Sequence, residues 1–226
     1  MSLPKESTFF ILDLDRTIFD TIKATEVMEN VVARHNPELA TRLAQKFEES
    51  SRIGESFSAR DFIVESVGEL EMQTIEITYK EVAGSLDLLL PGARELVAYI
   101  KTLPGARFGI LTYGSPLGQA MKIEAGGLAD VPFLVTQETF KGSQVAAWRQ
   151  NDGSYQLPDE LGGGVAASIV FVDDKPFSFK GLPVDCRGYL VKSVYDAGIE
   201  MIPSSVQVVD TLSQVIASEK QHRPSS

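Results

Sequence analysis

Phe9-Phe10-Ile11-Leu12-Asp13-Leu14-Asp15-Arg16-Thr17 decides how the rest of the chain is read. An apolar run that stops at two aspartates one residue apart, followed by a threonine, is the pattern of a buried strand carrying carboxylates to its own carboxyl end. Side chains at i and i+2 of a strand share a face, so Asp13 and Asp15 can address one point while the strand stays regular. Two anions at such a spacing repel, and the place calls for a cation, a shared proton, or both.

Working outward, the chain has 226 residues, 43% of them apolar and 23% charged, the composition of an ordinary globular protein with room for a sizeable core. Its 31 acidic residues outnumber 21 basic ones, for a net charge of -10. That balance argues against a nucleic-acid surface, which needs clustered Lys and Arg. It leaves room for a phosphorylated small molecule, because a divalent metal inverts the local sign. The single cysteine, Cys186, precludes an internal disulfide and fits a reducing compartment; no histidine lies near it in sequence, and it reads as a small core residue. The amino terminus lacks the pattern of a signal peptide, and no apolar stretch approaches the ~20 residues of a membrane span. A cytoplasmic protein is expected.

After the opening strand, residues 21–88 read as helices. Val27, Met28, Val31 and Val32 make one apolar stripe, and Leu39, Leu43 and Phe47 repeat at a spacing of four. Asn36-Pro37 and the stretch from Ser50 to Ser58 are natural breaks. Phe62, Ile63, Val67 and Leu70 suggest a further helix, and Ile75 to Leu90 at least one more. Asp20 is placed to cap the first helix.

The pattern then alternates. Pro91-Gly92 opens a helix, with proline at a first-turn position. Arg107 to Thr112 is a strand ending at Tyr113-Gly114-Ser115-Pro116, and a helix follows to Ala125. Further strands are expected at Pro132 to Thr136, Ser168 to Val172, Gly188 to Val191 and Val206 to Val209, with a closing helix from Leu212 to Glu219. Asn151-Asp152-Gly153 is a hairpin signal within Val145 to Leu157. Loose tails are expected in the first few residues and from Gln221 to Ser226. Strands alternating with helices imply an α/β fold, a Rossmann-like parallel sheet flanked by helices, which binds ligands beyond the strand carboxyl ends.

These residues carry a resemblance. Asp13-Leu14-Asp15-Arg16-Thr17 resembles the first motif, DxDxT, of the haloacid dehalogenase-like hydrolase superfamily. The strand ending at Thr112 resembles the second motif, Lys141 is placed like the third-motif lysine, and Asp173-Asp174 resembles the acidic fourth. Leu90-Pro91-Gly92 before the second motif is also typical of such proteins. Two positions depart from the pattern: Ser178 stands where many members have an aspartate, and Arg16 where glycine is common.

The resemblance implies an α/β core of residues 1–20 and 89–226 with an inserted all-helical cap domain, residues 21–88. It implies a magnesium-dependent phosphatase acting on a small phosphorylated metabolite through an aspartyl phosphate. Asp13 would be the nucleophile and Asp15 the general acid and base; the neighbouring carboxylate raises the Asp15 pKa and a metal lowers it. The Mg2+ ligands implied are the Asp13 side chain, the Asp15 carbonyl and the Asp174 side chain, with Asp173 holding a metal water. Lys141, Thr112, Tyr113 and Gly114 are the candidate phosphate-binding groups, joined by Arg16 at the mouth. Arg52, Glu55 and Arg60 are candidate specificity residues of the cap. No nucleic acid or membrane partner is implied, and the chain is expected as a monomer or homodimer.

Other activities of the same family remain beside it. A dehalogenase has no need of Asp15, and a phosphonate hydrolase would need a cap lysine, for which Lys23 and Lys46 are weak candidates. A phosphomutase uses the same aspartates. A non-catalytic phospho-ligand-binding protein is the remaining alternative.

Overall fold

The structure, a computed structural model, describes residues 7–53, 55–193 and 202–222. Strand β1 (Thr8–Leu12) is buried along its whole length, as expected of an apolar run with no polar face. It lies between β2 (Arg107–Tyr113) and β6 (Ser168–Asp173) in a six-stranded sheet completed by β3 (Phe133–Thr136), β7 (Arg187–Val191) and β8 (Val206–Val209). The strand order is β3-β2-β1-β6-β7-β8, and β1 pairs in parallel with both neighbours. This is the expected Rossmann-like arrangement.

The period of two sorts the sheet into faces. Phe9 and Ile11 of β1 share a core cluster with Leu111, Phe171 and Leu190, and with Val145 and Phe179 beyond the sheet. On the next strand Tyr189 has the opposite parity to Leu190. Its hydroxyl donates to Glu219 at 2.8 Å, on the closing helix α8 (Leu212–His222), which packs with α5 (Ala93–Thr102). Glu219 is fully buried and also accepts from Arg187 Nε at 2.7 Å and Nη2 at 3.1 Å. Glu219→Ala is expected to lower the unfolding free energy by about 2–3 kcal/mol in chemical denaturation. The figure stays below that for a wholly buried pair because the Arg187 side chain is 30% exposed and can be hydrated once its partner is gone.

Contacts divide the described residues into two units: 7–18, 89–112, 131–193 and 202–222 in one, and 19–88 with 113–130 in the other. The first holds the sheet with α5, α8 and α7 (Lys141–Ala147). A two-stranded antiparallel ribbon of β4 (Tyr155–Gln156) and β5 (Val165–Ala166) belongs to it as well. The second holds α1 (Thr21–His35), α2 (Pro37–Ile53), α3 (Ala59–Val67), α4 (Glu69–Ala83) and α6 (Pro116–Ala125). Sequence placed α6 with the sheet; in the structure it packs on α3 and α4, and Lys80 of α4 bridges to Glu124 of α6 at 2.8 Å.

Several boundaries differ from expectation for local reasons. Helix α5 starts at Ala93, after Gly92 with φ of 88°, so Pro91 precedes the helix instead of lying in its first turn. Gly68, with φ of 89°, separates Val67 from Leu70 into two helices, and α4 stops at Gly84, well short of Leu90. Helix α2 continues through Ser50 to Ile53. The Asn151-Asp152-Gly153 turn forms, with Arg149 bridged to Tyr155, but the residues from Val145 to Ala147 belong to α7. Asp20 caps α1 as expected, its Oδ1 accepting from Lys23 N–H at 3.0 Å. Of the expected tails, Gln221 and His222 lie in α8, and residues 1–6 and 223–226 fall outside the described residues. Among the described residues no helix is long and apolar enough to cross a membrane.

Candidate active site

At the carboxyl end of β1 the ladder runs one residue further than the strand: Asp13 N–H donates to the Val172 carbonyl at 2.9 Å. This fixes the Asp13 backbone beside β6, whose last residue is Asp173. Asp13 and Asp173 have the parity of Phe9 and Phe171, the face against which α7 packs, and Lys141 is the first residue of α7.

The three side chains meet. Lys141 Nζ donates to Asp13 Oδ1 and, at 2.8 Å, to Asp173 Oδ2. The lysine and both carboxylates are buried. Thr17 Oγ1, itself fully buried, donates to the other Asp13 oxygen at 2.9 Å. Asp173 Oδ1 accepts from the Lys175 N–H at 2.8 Å. Asp174 is 1% exposed, and neither of its oxygens accepts a hydrogen bond of normal geometry.

The electrostatics follow from burial and crowding. Burial pushes the Asp13 carboxyl up, Lys141 pulls it back, and Asp173 and Asp15 add to the rise, which ends at about 6. Burial by itself would depress Lys141; Asp13 and Asp173 outweigh it and hold the ammonium form above the ordinary lysine range. Asp174 is raised well above the ordinary carboxylate value, by burial first and then by Asp13 and Asp173, with Ser193 drawing it back in part. One lysine therefore faces three buried carboxylates.

That excess of negative charge is the test of whether a cation fits. Asp13, Asp173 and Asp174 each offer an oxygen, and these lie within 4.8 Å of one another. Hard oxygen donors, the two on Asp174 lacking a hydrogen bond of normal geometry, suit a hard divalent cation. The donor set is consistent with a divalent metal ion.

The remaining expected residues fall as follows. Thr112, next to the end of β2, is buried with its Oγ1 making no hydrogen bond, so a buried hydroxyl is available there. Tyr113 and Gly114 follow it in the chain and belong by contacts to the helical unit, where Gln119 Nε2 donates to the Tyr113 carbonyl at 2.7 Å. Asp15 is half-buried and near enough to Asp13 to raise its pKa. Arg16 is half-buried with φ of 61°, the single non-glycine residue at positive φ among those described. Glycine adopts that backbone freely, which gives a physical sense to the departure noted in sequence.

Two groups of expectations change. Arg60 is buried and paired with Glu69 and, at 3.8 Å, with Glu76, so it holds α3 to α4 and is not a free specificity residue. Arg52 and Glu55 are exposed. Lys46 pairs with Glu49 on the surface of α2, and Lys23 donates to the Asp87 carbonyl. Thr17 was part of the motif but had no role in the sequence reading. Its spacing of four from Asp13 was the available signal, because a turn after the strand returns i+4 to i.

No family model matches the chain, and no curated protein does. Solved structures do. A haloacid dehalogenase-like protein from Burkholderia xenovorans LB400 superposes with a TM-score of 0.61 at 18% identity, over 93% of this chain and 98% of that one. YfnB of Bacillus subtilis, described as a HAD hydrolase and solved bound to magnesium, gives 0.51 at 13% identity, over 95% and 99%. A dehalogenase solved as an intermediate complex gives 0.52 at 16%, over 96% and 98%. The chain has the haloacid dehalogenase-like fold.

Proposed function

We propose that the protein is a magnesium-dependent phosphatase acting on a small phosphorylated metabolite through an aspartyl phosphate. The observation that carries this is the buried junction of Lys141 with Asp13 and Asp173 beside the buried carboxylate of Asp174. Such a junction holds one carboxylate in place for attack and leaves a concentrated negative field that a cation and a phosphoryl group together can occupy.

The residues divide the work. Asp13, oriented by Thr17 and Lys141, attacks phosphorus, forming a new P–O bond as the ester P–O bond breaks. Asp15 gives its proton to the departing alkoxide. It then takes a proton from the water that attacks the same phosphorus, releasing phosphate and restoring Asp13. Lys141 stays charged throughout and offsets the anionic oxygens, and Thr112 supplies a hydroxyl donor. Held by the side chains of Asp13 and Asp174 and the carbonyl of Asp15, with Asp173 on a metal water, the magnesium ion would neutralise charge on the phosphoryl oxygens. The setting is cytoplasmic, in keeping with a buried cysteine outside any disulfide, and the protein works as a monomer or homodimer without nucleic acid or membrane.

The test is release of inorganic phosphate from a panel of phosphorylated metabolites, with and without magnesium. Turnover of at least one compound, lost on chelation, is expected. Silence on every compound, or halide release from a 2-haloacid instead, would overturn the assignment. Asp15→Asn is expected to lower kcat by about 10²- to 10⁴-fold with a much smaller change in KM, the mark of a lost proton transfer.

A further inference from the structure

Lys141 opens a helix of only seven residues that has no side-chain cap, yet its ammonium must reach carboxylates on two different strands. What fixes that reach lies one residue further on. Gly142 is buried against the backbone of residues 179–182. A Cβ placed on it would stand 2.8 Å from Leu182 N, 2.8 Å from the Lys180 carbonyl oxygen and 2.9 Å from that of Phe179. All three are backbone atoms, so no change of rotamer relieves the clash.

The approach is close from the other side as well. Gly181 has φ of 78°, and a Cβ there would meet Ser143 Oγ at 2.4 Å and Ser143 Cα at 3.2 Å. Ser143 Oγ donates to the Lys180 carbonyl at 3.1 Å, and the Lys180 ammonium lies 4.2 Å from the centre of the Phe140 ring. The segment that receives α7 follows directly from the acidic pair, through a single 3-10 turn at Pro176–Phe179. Asp173 and the bed of the lysine helix are therefore one continuous piece of backbone.

We infer that Gly142 is a positioning residue: its missing side chain lets α7 settle on residues 179–182 and so sets Lys141 between Asp13 and Asp173. The importance of this for turnover rests on the phosphatase reading, whereas the placement of the lysine can be measured without it.

The experiment is acetylation of the metal-free protein with an amine-reactive ester, followed by mass spectrometry, with exposed Lys46 as the internal standard. In the wild type Lys141 should be protected, being buried and doubly bonded. In Gly142→Ala it should react about tenfold faster relative to Lys46. Val145→Ala, a cavity in the same helix, controls for general loosening. It should lower Tm while leaving Lys141 protected. If Gly142→Ala fails to fold, Gly181→Ala displaces the contact from the opposite side and is read in the same way. Equal protection in the glycine variant and the wild type, or equal exposure in Val145→Ala, overturns the inference. Where phosphate release is measured, kcat should fall and KM hold. A wild type without phosphatase activity would refute the proposed function and leave the labelling result to decide the role of Gly142.

Discussion

Lys141→Ala will cost the metal-free protein about 3–5 kcal/mol at pH 7, the range for removing one partner from a buried ion pair. The residue is 3% exposed, and its loss strands Asp13 and Asp173 beside Asp174 with no cation among them. Solvent cannot take over, since all three carboxylates are buried. The sign of the pH dependence follows from the direction of each shift. Lys141 is raised, so its contribution is fully present below the unfolded lysine value and is undiminished at pH 7. Asp13 and Asp174 are raised acids, so their cost is present above their folded values and recedes as pH falls through them. The deficit of the variant should therefore shrink between pH 7 and pH 5, as Asp13 takes up a proton. Urea unfolding at the two pH values in the presence of chelator measures this. A deficit that is small at pH 7, or that grows on acidification, would contradict the buried junction.

Asp13→Asn pairs the largest loss of activity with little or no loss of stability. An amide does not attack phosphorus as a carboxylate does, so phosphate release should drop by at least about 10³-fold. The side chain keeps its shape: the amide oxygen can accept from Lys141 and the amide NH2 can donate to the Thr17 hydroxyl, while Lys141 keeps Asp173. The variant also sheds a buried anion. Burial raises the folded Asp13 pKa to about 6, so its ionised form weakens the fold at neutral pH. A Tm in chelator equal to or above that of the wild type is expected, with turnover gone. Retained turnover would remove Asp13 as the nucleophile, and a large fall in Tm would mean that the carboxylate is chiefly a structural partner of Lys141.

How far these residues could be read from sequence depended on the distance over which their reasons act. The apolar run from Phe9 to Leu12 and the paired aspartates after it are local, and β1 formed where its pattern placed it. Asp20 at the start of α1 was legible for the same cause. Lys141, 128 residues from Asp13, was found by resemblance alone, and its meeting with Asp13 depends on α7, β1 and β6 packing together. The seat of that lysine was hidden, because a glycine in the first turn of a short helix reads as a weak helix former and gives no hint of a neighbouring backbone. Arg60 looked like a free charge in an irregular stretch, since its partners Glu69 and Glu76 lie beyond a glycine break. The attachment of α6 to α3 and α4 was also invisible, because an apolar stripe shows that a helix is covered but not by what.

The position of β1 between β2 and β6 has a consequence for how the chain comes into being. Thr8 hydrogen-bonds to Ser168, 160 residues later, and the register carries that pairing through to Leu12 and Val172. On the ribosome, the strand bearing Asp13 emerges before both of its neighbours and waits for β6, which pairs with it from 160 residues further along the chain. Helices α1 to α4 have their partners close by in sequence and can form in the interval. The cluster of Asp13, Asp173 and Asp174 is thus completed late, when β6 docks and brings the last two to the first. A nascent or truncated chain that stops before residue 168 carries Asp13 without Asp173 and Asp174.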